Sequence, residues 1–288
     1  MDQFDLTSLM SRSSVFDPAV ADWDAVARHP LSAPALRTLR YMQAVEGHTV
    51  IYLRELLSTR AVDDPELAGF FATWFYEETA HSRALARFLA AAGHPVTPRP
   101  PTAPRTVRER IEALGIAVLG SAWREFPVVH MTWGAINELT TLTGYRRLAQ
   151  VAGHPVLAEL LATIMRDESR HFGFYFEQAA RRLDASATAR RITRMLVAHF
   201  WDPVGAGVQP DSETRFLAAY LFSGSDGHAA AQAVDRTIRR LPGLADVELL
   251  ERWVDRHRAP AESAGDVSDR RAGQISIGAL QPPSPSSC

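Results

Sequence analysis

Pro65 and Pro155 each open a stretch with apolar residues at helical spacing. Each stands 13 residues ahead of a Glu-x-x-His motif, Glu78-Thr79-Ala80-His81 and Glu168-Ser169-Arg170-His171. Proline is welcome in the first turn of a helix and disruptive further in, so the two segments are long helices started in the same phase. Residues three apart share a helix face, which lets each motif offer a carboxylate and an imidazole to one metal ion. A single copy is an ordinary solvated surface; two copies at one distance from the helix start constrain the whole fold. Counting back through each preceding turn finds a carboxylate at the matching height, Glu46 ahead of Glu78 and Glu138 ahead of Glu168, both in largely apolar surroundings. At about 1.5 Å of rise per residue, each hairpin runs roughly 20 Å to its turn and back, returning the second carboxylate beside the first. Four carboxylates and two histidines then converge inside a four-helix bundle. Burying four unpaired carboxylates is prohibitive, whereas two cations neutralise them.

The rest of the chain agrees with an all-α fold, since no run of period-two alternation is bounded by hairpin turns. Helices are expected over 33–60, 65–92, 107–119, 127–151 and 155–183, followed by shorter ones near 186–201, 211–223, 226–241 and 245–257. Residues 1–32 form an N-terminal extension, 33–258 the helical domain, and 259–288, with its proline and serine run, a disordered tail. Basic and acidic residues number 31 and 33, which supplies no footprint for nucleic acid, and every basic residue is arginine. No apolar run reaches the length a membrane span requires. The only cysteine is Cys288, so no disulfide framework, thiolate nucleophile or cysteine-held metal is built into the helices. The N-terminus lacks the basic start and apolar core of a secretory signal, and a cytoplasmic location is expected.

Over about residues 36–183 the sequence resembles the ferritin-like di-iron carboxylate proteins, and among them the soluble acyl-carrier-protein desaturases. Their helix-two pattern Glu-Glu-x-x-His stands here as Glu77-Glu78-Thr79-Ala80-His81, following Trp74, and their helix-four pattern Asp-Glu-x-Arg-His as Asp167-Glu168-Ser169-Arg170-His171. The resemblance implies a ferritin-like bundle with additional C-terminal helices. It implies two iron ions held by Glu46, Glu78, His81, Glu138, Glu168 and His171, with manganese an alternative in one position. Asp167 and Arg170 would orient the histidines, as a ligating imidazole needs its other N–H fixed. Glu77 is either the matching partner on helix two or a surface carboxylate. Thr141 matches a threonine beside the dioxygen site, where its hydroxyl relays protons, although a threonine in a buried helix also bonds back to the preceding turn. The chain departs from the family in having Ala80 in place of an arginine, in the residues Gly47-His48-Thr49-Val50 after Glu46, and in the 45 residues that precede Glu46. His48 lies off the Glu46 face, and His130 is too far along its helix to join Glu138 as a ligand.

What the resemblance implies is an enzyme that activates dioxygen to desaturate or hydroxylate an apolar acyl substrate carried on an acyl carrier protein. Two other readings remain open. A related oxygenase of small molecules is one, although the N-oxygenases carry an extra histidine where Ile164 stands. Iron handling without an organic substrate is the other; the C-terminal helices, read as a layer over a substrate cavity, point away from it. Trp74, Phe71, Phe75, Trp133, Phe174 and Phe176 flank the ligands, mostly as core, with some expected to wall that cavity. No dinucleotide or flavin fingerprint is present, which implies a ferredoxin-type electron donor. The arginine groups 146–147, 181–182, 190–191 with 194, and 239–240 are solvated faces or docking sites for such an acidic partner. Relatives of this kind are often homodimers.

Overall fold

The computed structural model describes residues 21–97, 120, 123–206 and 209–257. The helix expected over 107–119, the first twenty residues and the tail expected at 259–288 lie outside them. Along the chain run α1 (Trp23–Val26), α2 (Ala33–Glu46), α3 (Thr49–Leu57), a 3-10 turn (Arg60–Asp63), α4 (Pro65–Ala91), α5 (Pro127–Ala152), α6 (Pro155–Ala185), α7 (Ala187–Phe200), α8 (Asp211–Leu221), α9 (Gly224–Ile238) and α10 (Leu250–His257). Among the described residues there is no strand, and no helix is long and apolar enough to cross a membrane.

The long helices start where their caps dictate. Asp64 accepts from the backbone N–H of Glu66 at 3.0 Å ahead of Pro65. His154 plays the same part for α6, its Nδ1 accepting from the Leu157 N–H at 3.2 Å ahead of Pro155. A side-chain acceptor satisfies an amide that has no partner within the helix, and the proline lacks the amide altogether. The 26-residue α5 and 31-residue α6 pack as an antiparallel hairpin. The second pair is α2 with α4; α4 packs on α6 and α2 on α5, which closes a four-helix bundle. Buried aromatic and aliphatic side chains such as Leu39, Phe70, Phe88, Met131, Leu148 and Phe174 fill it.

One expectation needs correction. The helix expected over 33–60 is broken directly after Glu46, into α2 and α3. At Gly47 the chain passes so close to α4 that a Cβ would sit 3.1 Å from Ser82 Oγ. The Thr49 hydroxyl then donates to the Glu46 carbonyl at 2.8 Å, ending the ladder there. Apolar spacing continues through Val50, Leu53 and Leu57, which hides the break from periodicity alone. The short α1 packs on α4 and α6. Beyond the bundle, α7, α8 and α9 all pack on α5, with α8 also touching α2 and α10 spanning α8 and α9. At Gly205 φ is +92°, and a Cβ there would lie 2.2 Å from the Tyr41 hydroxyl, so only glycine lets this segment close over α2.

Candidate metal centre

Six side chains from the four bundle helices meet at its centre. α2 contributes Glu46, α4 Glu78 and His81, α5 Glu138, and α6 Glu168 and His171; all are buried, from 7% exposure at Glu138 to none at His171. They form two overlapping groups. Glu46, Glu78, His81 and Glu168 place one ligand atom each within 4.8 Å of one another, and so do Glu78, Glu138, Glu168 and His171. Glu78 and Glu168 belong to both. The hairpin spacing read from the sequence thus corresponds to a real convergence.

The two histidines are held from behind in crossed fashion. His81 Nε2, on α4, lies 3.0 Å from Asp167 Oδ2 on α6, and His171 Nε2, on α6, lies 2.6 Å from Glu77 Oε2 on α4. A carboxylate can only accept, so each Nε2 carries the hydrogen and each Nδ1 faces the cluster. Arg170 donates to Glu77 at 2.8 Å and to Asp167 at 2.6 Å, joining the two supports through one guanidinium. Glu77, 1% exposed, is not a surface residue.

Two further contacts escape a reading based on ligand spacing. Trp74 Nε1 donates to Glu138 Oε1 at 3.0 Å, and the Tyr145 hydroxyl donates to Glu46 Oε1. Tyr145 lies seven residues after Glu138, two helical turns on the same face, and that periodicity was the available signal. Each of the two outer carboxylates therefore has one oxygen occupied by an aromatic donor. His130, whose imidazole burial pushes down to about 4, belongs to neither group, and His48 packs edge-on against Tyr52.

Burial and the crowding of like charges set the electrostatics of the cluster. Burial, reinforced by the Glu168 charge, pushes Glu138 up to about 8. Burial and neighbouring carboxylates likewise raise Glu78, and raise Glu46 well above the usual range. Burial alone would raise Glu168 too, but His171 and His81 override it and hold the group low. In the histidines burial favours the neutral ring, yet the surrounding carboxylates win and both are raised. Among the described residues six buried atoms of the cluster have no hydrogen-bond partner, Glu46 Oε2, Glu78 Oε1, both oxygens of Glu168, and Nδ1 of His81 and His171, although His81 Nδ1 lies 3.2 Å from Glu168 and His171 Nδ1 3.2 Å from Glu78. Carboxylate oxygens and imidazole nitrogens are the donors that first-row transition metals take, so the residues present fit a pair of such ions.

An apolar cleft of about 70 Å³ reaches the centre at Glu46. Thr141 and Tyr145 line it; Thr140 and Thr143 bond back to the carbonyls of Ile136 and Leu139, whereas Thr141 shows no such bond among the described residues. The six aromatics expected to flank the ligands do not line this cleft. Phe71, Trp74 and Phe174 are buried, and Phe75, Trp133 and Phe176 pack partly buried against the core; the cleft opens elsewhere, between α2, α5 and the C-terminal helices. Most of the arginine groups are committed within the molecule. Arg181 pairs with Glu66, Arg182 with Asp64, Arg194 with Asp246 and Arg239 with Glu248, while Arg240 lies over the Phe176 ring.

The bundle is all-α, and at its centre four buried carboxylates and two braced histidines form two overlapping groups that could each hold a metal ion. The fatty acid desaturase family model matches residues 50–206, more than half of the chain, and the chain belongs to that family. Five of the six convergent residues fall inside the match, while Glu46 precedes it and α8, α9 and α10 follow it. No curated protein and no solved structure matches the chain.

Proposed function

We propose that the chain is a di-iron oxidase that uses dioxygen to desaturate or hydroxylate an apolar acyl substrate borne on a carrier protein. The observation that carries this reading is the overlap of the two ligand groups, in which Glu78 and Glu168 face both positions while His81 and Glu46 serve one, and His171 and Glu138 the other. Iron held there supplies the redox chemistry of dioxygen activation. The chain's own residues do the rest. Asp167 and Glu77 fix the histidines, and Tyr145 and Trp74 each occupy one carboxylate oxygen, leaving the other to a metal. Thr141 lines the same cleft as Glu46, and its hydroxyl can pass protons there. The apolar lining of the cleft favours a hydrocarbon substrate over iron storage. Electrons come from a ferredoxin-type donor.

The test is to load the protein with iron, reduce it, and supply dioxygen together with acyl carriers. Consumption of dioxygen coupled to loss of two hydrogens from, or addition of one oxygen to, the acyl chain is the expected result. Mineralisation of added iron with every acyl carrier left intact would overturn the reading.

A further inference from the structure

The cleft that meets Glu46 is bounded by α2 (Tyr41, Met42, Val45), α5 (Thr140, Thr141, Gly144, Tyr145), the turn at Pro203 and Val204, α8 and α10. Its polar groups are mostly spent on the protein itself. The Tyr41 hydroxyl donates to the Val204 carbonyl at 2.8 Å, Thr140 to Ile136, and Tyr145 to Glu46. Among the described lining residues Glu46 is the one charged side chain. Such a lining suits an uncharged hydrocarbon.

Its size sets a second limit. An apolar cavity of about 150 Å³ takes up benzene, with six carbons. On that scale, the 70 Å³ here holds about three carbons. The space has an identifiable cause. A Cβ built on Gly144 would meet Met42 Cε at 3.4 Å and Leu221 Cδ1 at 3.9 Å, ordinary contact distances, so the absent side chain leaves part of the room. Leu221, Ala218, Leu250 and Trp253 come from α8 and α10, beyond the family match. The position of α10 is fixed by Asp235 on α9, whose carboxylate accepts the backbone N–H groups of Leu249, Leu250 and Glu251 at 3.1, 3.0 and 3.1 Å.

We propose that the hydrocarbon presented to the metal centre is short, an alkyl end of about three carbons seated beside Gly144, and that α8 and α10 set this limit. The proposal rests on the oxidase reading and deepens it by naming the substrate as short-chain acyl. The experiment measures binding of N-acetylcysteamine thioesters with straight acyl chains of three to twelve carbons to the iron-loaded full chain by calorimetry, with iron per chain counted on the same samples. Affinity should rise about fourfold per methylene, the gain for burying one, until the cleft is full, and then stop rising. Gly144→Leu should move that break to shorter chains and Gly144→Ala should move it less, both with the iron count of the unsubstituted protein. Ala218→Val replaces Gly144→Leu if the latter does not fold. A steady rise to twelve carbons, a break unmoved by the substitutions, or no binding of any thioester would overturn the proposal. A low iron count with the break intact would instead fault the oxidase reading, because Gly144 and Ala218 lie outside the ligand set.

Discussion

Asp167 and Glu77 do the same work on opposite helices, and Arg170 ties one to the other. Each stands immediately before a candidate ligand glutamate in sequence, yet braces the histidine of the neighbouring helix. Replacing Asp167 with asparagine keeps the shape and removes the charge that fixes the His81 N–H. Iron should still bind, with affinity or oxidation rate lowered by roughly 10- to 100-fold, the usual cost of an outer hydrogen-bond partner. Iron titration and stopped-flow oxidation of the variant check this, and behaviour identical to the unsubstituted protein would show that Asp167 has no such role. At this scale the sequence revealed the six convergent residues because the distances to a helix-opening proline and to a matching carboxylate are set by helix geometry. Glu77 remained ambiguous, since a glutamate on a helix says nothing by itself about what lies across the bundle. Tyr145 and the Trp74 contact were hidden for a related reason: a buried aromatic reads as core until a carboxylate is found at its polar end.

Helix starts were legible for the same chemical reason that makes them stable. Ser32, Asp64, His154 and Ser186 are side-chain acceptors, and proline follows the first three within two residues. His154 adds a pH dependence. It is 3% exposed, accepts from the Leu157 N–H through Nδ1, and places Nε2 3.3 Å from the Val26 carbonyl, which requires the neutral ring. Burial, foremost, holds its pKa below the ordinary value. A histidine whose folded pKa is depressed takes up its proton more readily when unfolded. Its stabilising contribution is thus complete above about pH 6.5 and is lost as pH falls through the folded value. His154→Asn keeps a capping acceptor and removes the titration. Denaturant unfolding of the metal-free protein from pH 7.5 to 5 should show a shallower loss of stability in the variant, and equal slopes would contradict this role. The break after Glu46 was not legible, because the apolar repeat runs straight through it and its causes, Ser82 behind Gly47 and the Thr49 hydroxyl on the Glu46 carbonyl, are tertiary and local hydrogen-bonding facts.

For the whole molecule, the all-α architecture followed from long periodic segments separated by proline and glycine, and the bundle from the need to bury two apolar hairpins against each other. What lies beyond the bundle was visible only as further helices. Their packing on α5, and the share of α8 and α10 in the apolar cleft, depend on contacts far apart in sequence, such as Trp201 Nε1 donating to Asn137 Oδ1 at 3.1 Å and Arg37 pairing with Glu213. The account stands or falls on whether the bundle centre holds two metal ions. Six ligand side chains divided between two positions leave no redundancy, and loss of one partner leaves uncompensated charge in a buried site. The most direct measurement is iron per chain in the purified, iron-loaded protein and in Glu138→Ala and His171→Ala, by elemental analysis against protein concentration. The account predicts about two ions in the unsubstituted chain and at least one fewer in each variant. Full iron occupancy in both variants would contradict it.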